Sequence, residues 1–431
     1  MTGHDLPLAG TLQRKTLAVS AKRMFSSVMQ LPFLRRALLF GAAFLIFGAA
    51  SAVAGSLDAA KLAEIPRQMQ KFVDDGTIAG AVTLVGYQGE IARVDAAGYS
   101  DLGSQKPMKK DSLFWIASMT KPVTAAGILL LQEQGKLSID DPVEKHLPEF
   151  RGQWLAQSRS SDSVTLAKPA RSITLRDLLT HTSGLADAEP PRPDSTLGEM
   201  ALLYSQRPLL FPPGSQWQYC NSGINTLGRV IEVASGEPYH VFLEKRFFKP
   251  LGMKDTTFYP SASQAARLAK SYQPDPSGKK LEETSIFFLR GAAVSSRNRL
   301  AAPAGGLFST ASDMFRFYKM MLAKGKWDGK QILSEASVAE LTRTQTGELK
   351  TGFTPGMSFG LGFAVVKEPA GVTSMLAPGS FGHGGAYGTQ SWADPSKDLI
   401  LILMIQRARL PNADASPIRE SFQKTAAEAV R

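Results

Sequence analysis

The sequence predicts an α+β fold in which one sheet is assembled from both ends of the chain around a helical middle. Three observations lead there: strand patterns cluster before residue 100 and after residue 360, residues 120–340 read mostly as helices and Pro-rich loops, and no internal repeat divides the chain. With 431 residues, 43% hydrophobic and 20% charged, the chain can bury a substantial core, and disordered, collagen-like and disulfide-rich classes are excluded. A single cysteine, Cys220, rules out an intramolecular disulfide and a thiolate-rich zinc site.

Taken in order, residues 1–54 read as an export segment. Arg35-Arg36 precedes a 14-residue apolar run, 37–50, and small residues stand at Ala52 and Ala54, which predicts a secretory signal cleaved after Ala54 or, uncleaved, a membrane anchor. This segment also explains much of the net charge of +11: six basic residues against Asp5 alone give it +5, leaving +6 over the other 377 residues. No dense basic run interleaved with aromatics remains, so nucleic-acid binding is not expected. Residues 55–431 then form the mature domain, its α/β part at about 55–120 and 300–431 and its helical part at about 121–299.

Helical spacing of Leu62, Ile65, Met69 and Phe72 predicts a helix over 57–75. Residues 81–87 and 91–96, joined through Gln88-Gly89-Glu90, predict a β-hairpin. Thr174-x-x-Asp177 and Thr310-x-x-Asp313 are capping-box-like helix starts. At the far end, residues 361–367, 388–393 and 399–404 predict strands, with the turn residues 394–397 between the last two.

The chemistry concentrates at Ser118-Met-Thr-Lys121. From Val123 to Leu131 only Thr124 is polar, so this helix belongs in the centre of the domain and its polar start is anomalous. Ser118 and Lys121 share one helical face; a serine there sits at the positive end of the helix dipole, and a desolvated lysine one turn on can take its proton. Ser277–Lys280 and Ser421–Lys424 repeat the spacing, but neither opens a buried helix. Gly356-Met-Ser358-Phe-Gly360 spells a nucleophile elbow, yet Pro355 precedes it and strand-like residues follow, the reverse of what an elbow requires. The five histidines include no pair at metal-ligand spacing, so neither a metal nor another cofactor is expected.

With these residues in view, the chain resembles the serine β-lactamase and penicillin-binding superfamily, and within it the class C β-lactamases and their carboxylesterase relatives. Ser118-Met-Thr-Lys121, Tyr219-Cys-Asn221 and His383-Gly384-Gly385 look like its three motifs in order, over roughly residues 60–425. Lys350-Thr-Gly352 spells the usual third motif literally, but a turn follows it, whereas His383 leads into a strand hairpin, so His383 takes the assignment. The resemblance implies an antiparallel sheet of about five strands flanked by helices. It implies Ser118 as nucleophile, Lys121 and Tyr219 sharing its proton, and the N–H groups of Ser118 and Ala386 receiving the oxyanion. Asn221, His383, Gly384 and Gly385 would contact substrate, His383 steering its charge. Cys220 is expected to point away, and His181 to be a hydrogen-bonded structural residue. The expected function is exported hydrolysis of a small-molecule substrate, an ester before a β-lactam or D-amino-acid peptide; a penicillin-binding sensor that acylates without turnover is the alternative of another class.

Overall fold

The structure is a computed structural model that describes residues 56–190 and 192–431. The expected export segment, 1–54, lies outside the described residues. The central sheet comprises β1 (Gly80–Tyr87), β2 (Glu90–Asp101), β3 (Lys106–Pro107), β4 (Met357–Phe359), β5 (Ala364–Val366), β6 (Phe381–Gly384), β7 (Gln390–Asp394) and β8 (Leu399–Met404). Its order is β4-β5-β6-β7-β8-β1-β2-β3, antiparallel throughout. The expected count of about five describes the five longer strands in the middle; two short strands on one edge and one on the other raise it to eight. The helices needed below are α1 (Ile65–Asp74), α2 (Thr120–Glu133), α3 (Leu175–Leu179), α4 (Asn221–Ser235), α5 (Ala311–Leu322) and α6 (Pro417–Glu428).

The two ends of the chain meet at β1–β8, paired from Val82↔Met404 to Tyr87↔Leu399. All six β8 residues are buried, because both sheet faces are covered. Ile400, Ile402 and Met404 pack with Met314 and Phe315 in the large core, while Leu399, Leu401 and Leu403 face Ile65, Met69, Ile418 and Phe422 of the terminal helices. The β1–β2 hairpin turns through Gln88 and Gly89, both at positive φ, as its right-handed twist requires.

Three elements differ from expectation at their boundaries. The helix over 57–75 is two pieces, Ala59–Leu62 and α1, because Pro66 near the start of α1 cannot donate to the preceding turn. The strand over 361–367 shrinks to β5: Gly362, at φ +69°, approaches the Lys121 carbonyl and the Ala125 side chain, space that only glycine leaves open. The strand over 388–393 begins at Gln390, since Gly388 (φ +87°) is still in the turn. Thr174 and Asp177 form a full capping box on α3. Thr310 caps α5, but the Asp313 carboxylate binds the Asp255 N–H and Thr256 hydroxyl instead of returning to the cap.

Candidate active site

A short ladder, Phe114–Trp115 against Phe308–Ser309, delivers the chain to Ile116, whose N–H binds the Leu307 carbonyl at 3.0 Å. Ala117 then adopts φ +46°, a strained value for a residue with a Cβ, and a 3-10 turn (Ala117–Met119) leads into α2. Thr120 fastens this corner, donating to the Ala117 carbonyl (2.7 Å) and accepting from the Leu307 N–H (3.2 Å). Ser118 is thereby held at the N-terminal end of a helix buried on all sides, where N–H groups lack intrahelical partners.

Lys121 is fully buried, and its Nζ donates to Ser118 Oγ (3.0 Å), Asn221 Oδ1 (2.9 Å) and the Ala304 carbonyl (2.6 Å). Its amine therefore does not reach solvent. Among the described residues no carboxylate pairs with it, so desolvation dominates and lowers its pKa to about 7, against the opposing pull of Asp187. The Tyr219 hydroxyl lies beside the Ser118 side chain, and burial pushes its phenol well above the ordinary range. Its ring lies 4.6 Å from Lys121 Nζ and is flanked by His181 (centroids 4.5 Å apart) and Phe353 (5.0 Å).

Behind this ring, His181 Nδ1 accepts the Cys220 N–H at 3.1 Å and so fixes the backbone between Tyr219 and Asn221. Burial and the nearby Lys121 hold the imidazole well below its usual pKa, neutral as an acceptor must be. Cys220 is buried and points away, its Sγ on the Leu185 carbonyl. Asn221 opens α4, where Asp187 Oδ1 accepts the Ser222 N–H at 2.8 Å.

The third segment sits differently from expectation. His383 on β6 is 3% exposed, donates through Nδ1 to the Gly384 carbonyl (2.6 Å), and is pushed down to about 4 by burial and by Lys121. It lines a small cavity with Phe353, Trp392, Asp414 and Arg419, not the one at Ser118. A Cβ on Gly384 would meet Asp414 and Gln390, and one on Gly385 would meet Thr389 and the Ile116 carbonyl, so both glycines make room for protein. Gly385 in particular lets the strand end close against the Ser118 corner. Ala386 is the residue of this segment that reaches the cavity of Ser118.

That cavity, about 230 Å3, is lined by Ser118, Tyr219 and Asn221 at one side and by Trp115, Phe287 and Phe288 at another. Sequence reasoning assigned no part to the aromatic wall, to Asp187 or to the Ala304 carbonyl. Ala304 and Asp187 sit in loops and Phe287 in a single 3-10 turn, Phe287–Leu289, so none of them offered a spacing to read. Ser358, the elbow alternative, is a buried strand residue bonded to Thr346 Oγ1 at 3.0 Å. Lys350 is exposed in a loop, and Ser277 lies in an exposed turn. Among the described residues no cluster of His, Cys, Asp and Glu is placed to hold a metal ion.

Residues 65–423 match the sequence profile of the Beta-lactamase family. Esterase EstB of Burkholderia gladioli is 32% identical over 384 residues, covering 82% of this chain and 93% of EstB. The D-alanyl-D-alanine-carboxypeptidase/endopeptidase AmpH of Escherichia coli is 27% identical over 393 residues, covering 88% of this chain and 93% of AmpH. Among solved structures, EstCE1, a hydrolase with promiscuous acyltransferase activity, superposes with a TM-score of 0.69 at 25% identity, over 85% of this chain and 98% of its own.

Proposed function

Since the chain belongs to the Beta-lactamase family and is a serine hydrolase, we propose that it is a carboxylesterase of small esters working through an acyl-enzyme on Ser118. One observation carries the reading: Ser118 Oγ stands 3.0 Å from the amine of a fully buried lysine with a pKa of about 7, beside a cavity walled by aromatics. Similarity to EstB over nearly its whole length supports an ester substrate.

The steps follow from the atoms. Neutral Lys121 takes the Ser118 hydroxyl proton, directly or through the Tyr219 hydroxyl, as Oγ bonds the ester carbonyl carbon. The carbonyl oxygen becomes an oxyanion received by the N–H groups of Ser118 and Ala386. Collapse breaks the bond to the alcohol, which leaves with the proton returned through Tyr219. A water then attacks the acyl-Ser118 carbonyl, gives its proton to the same base, and the acid departs with Ser118 restored. Asn221 holds Lys121 in line by its 2.9 Å bond.

Export belongs to the same proposal, on the three-part pattern of residues 1–54, and N-terminal sequencing of the protein recovered outside the cytoplasm would read Gly55 first. A second reading, D-amino-acid peptidase, is favoured by the similarity to AmpH. The deciding experiment compares turnover of a short-chain aryl ester, a chromogenic cephalosporin and a D-alanyl peptide, with burst kinetics separating acylation from release. Ester turnover above the other two is expected; peptide turnover above ester would transfer the assignment to peptidase.

A further inference from the structure

We propose that the ester this cleft selects carries a cationic group, an ammonium or quaternary ammonium, held by Asp187 and the aromatic wall. The proposal rests on the esterase reading and adds the charge class of the substrate. It starts from an asymmetry in the cavity of Ser118: its lining includes two carboxylates, Asp187 and Glu189, and, besides Tyr219, the aromatic side chains of Trp115, Phe287 and Phe288, but among the described residues no Lys, Arg or His.

Asp187 is the carboxylate that matters. It is exposed, and while Oδ1 caps α4 through the Ser222 N–H, Oδ2 has only the Asn221 amide, at 3.5 Å, the outer limit of a hydrogen bond. A carboxylate has about four lone-pair sites, so most of the accepting capacity of Oδ2 faces the cavity. The cations nearby do not cancel it. Arg290 does not line the cavity; its Nη1 is on the Pro190 carbonyl at 2.7 Å and 3.9 Å from Glu189, so it offsets Glu189 rather than Asp187. Lys121 lies buried beneath and is spent on Ser118, Asn221 and Ala304. His383, the residue expected to set substrate charge, is neutral and lies outside this cavity.

The aromatic wall is suited to the same group. Phe287 is 57% exposed and stands edge-on to Trp115 at 5.3 Å, so a ring surface is open at the mouth, and the face of an aromatic ring attracts a cation. A bulky quaternary ammonium buries methyl groups on such rings while its charge meets Asp187. A substrate carboxylate would instead face Asp187 with no compensating donor, which separates this cleft from one built for anionic β-lactams or peptide C-termini. A cation beside Lys121 also disfavours the lysinium form and keeps the base free of its proton.

The test uses isosteric pairs at low ionic strength. One pair is choline acetate and the acetate in which tert-butyl replaces trimethylammonium; the other is an aryl ester whose acyl chain ends in trimethylammonium and its tert-butyl isostere. The expected result is that kcat/KM favours the cation about fivefold or more in at least one pair, the lower end for one close charge pair. That ratio should fall towards one in Asp187→Asn, which keeps the acceptor for the Ser222 N–H, and at high salt. Because each ratio is taken within one protein, a general loss of activity in the variant divides out, and Glu189→Gln should change it less. A ratio of one or below in both pairs, with the neutral esters still turned over, overturns the cation site and leaves the esterase reading standing. A cation preference unaltered in Asp187→Asn overturns the role of Asp187. No turnover of any ester overturns both readings together.

Discussion

At Lys121 two demands oppose each other: burial without a directly paired carboxylate disfavours the charge, while the Asp187 carboxylate nearby favours it. Burial wins by enough to bring the pKa to about 7, so the amine is half free of its proton near neutrality. The sign for activity follows, because the neutral amine is the base. For a neutral ester, kcat/KM should rise about tenfold per pH unit below about 7 and level off above it; a flat profile across this range would contradict the role of Lys121. Lys121→Ala and Tyr219→Phe should each cost about a hundredfold or more, and less than additively together, because they serve one proton transfer. Ser118 and Lys121 were legible because a three-residue spacing on an all-apolar helix is a local signal. His383 was misjudged for a physical reason: strand alternation places a side chain on one face or the other, but not on which side of the neighbouring Tyr219 ring it lands. Asp187 was silent because loop geometry is set by contacts 34 to 35 residues away, at Asn221 and Ser222.

Between elements, the site depends on how closely the strand end after β6 approaches the Ser118 corner. A Cβ at Gly385 would come within 2.6 Å of the Ile116 carbonyl, a backbone atom that cannot step aside cheaply. Gly385→Ala should therefore lower kcat by about tenfold or more while costing only about 1–3 kcal/mol of stability, the usual range for overpacking. Kinetics and denaturant titration on the same preparation separate the two, and wild-type kcat in the variant would contradict the positioning role. Sequence periodicity found β1, β2, β5, β7 and β8 at the two ends of the chain, but not the short β3 and β4 or the four-residue, glycine-containing β6. It missed the ends of β5 and β7, where Gly362 and Gly388 break the pattern for close packing and for a turn.

Across the whole molecule, residues 56–101 and 357–428 form one layer system, zipped at β1–β8, with the helical middle against one face and α1 and α6 against the other. The site lies on the helical side, so the outer helices contribute stability without touching the chemistry. Phe422→Ala, in the fully buried seam of α6, should cost about 3–5 kcal/mol in chemical denaturation yet leave the kcat of the folded fraction unchanged. A large fall in kcat at full folding would show that the terminal layer does reach the site. The measurement that bears most directly on the central claim is covalent: intact-mass and peptide-mapping analysis after a serine-directed phosphonate is added at neutral pH. One adduct is predicted, on the peptide holding Ser118, present in Ser358→Ala and absent in Ser118→Ala; an adduct that survives in Ser118→Ala, or maps to Ser358, would contradict it.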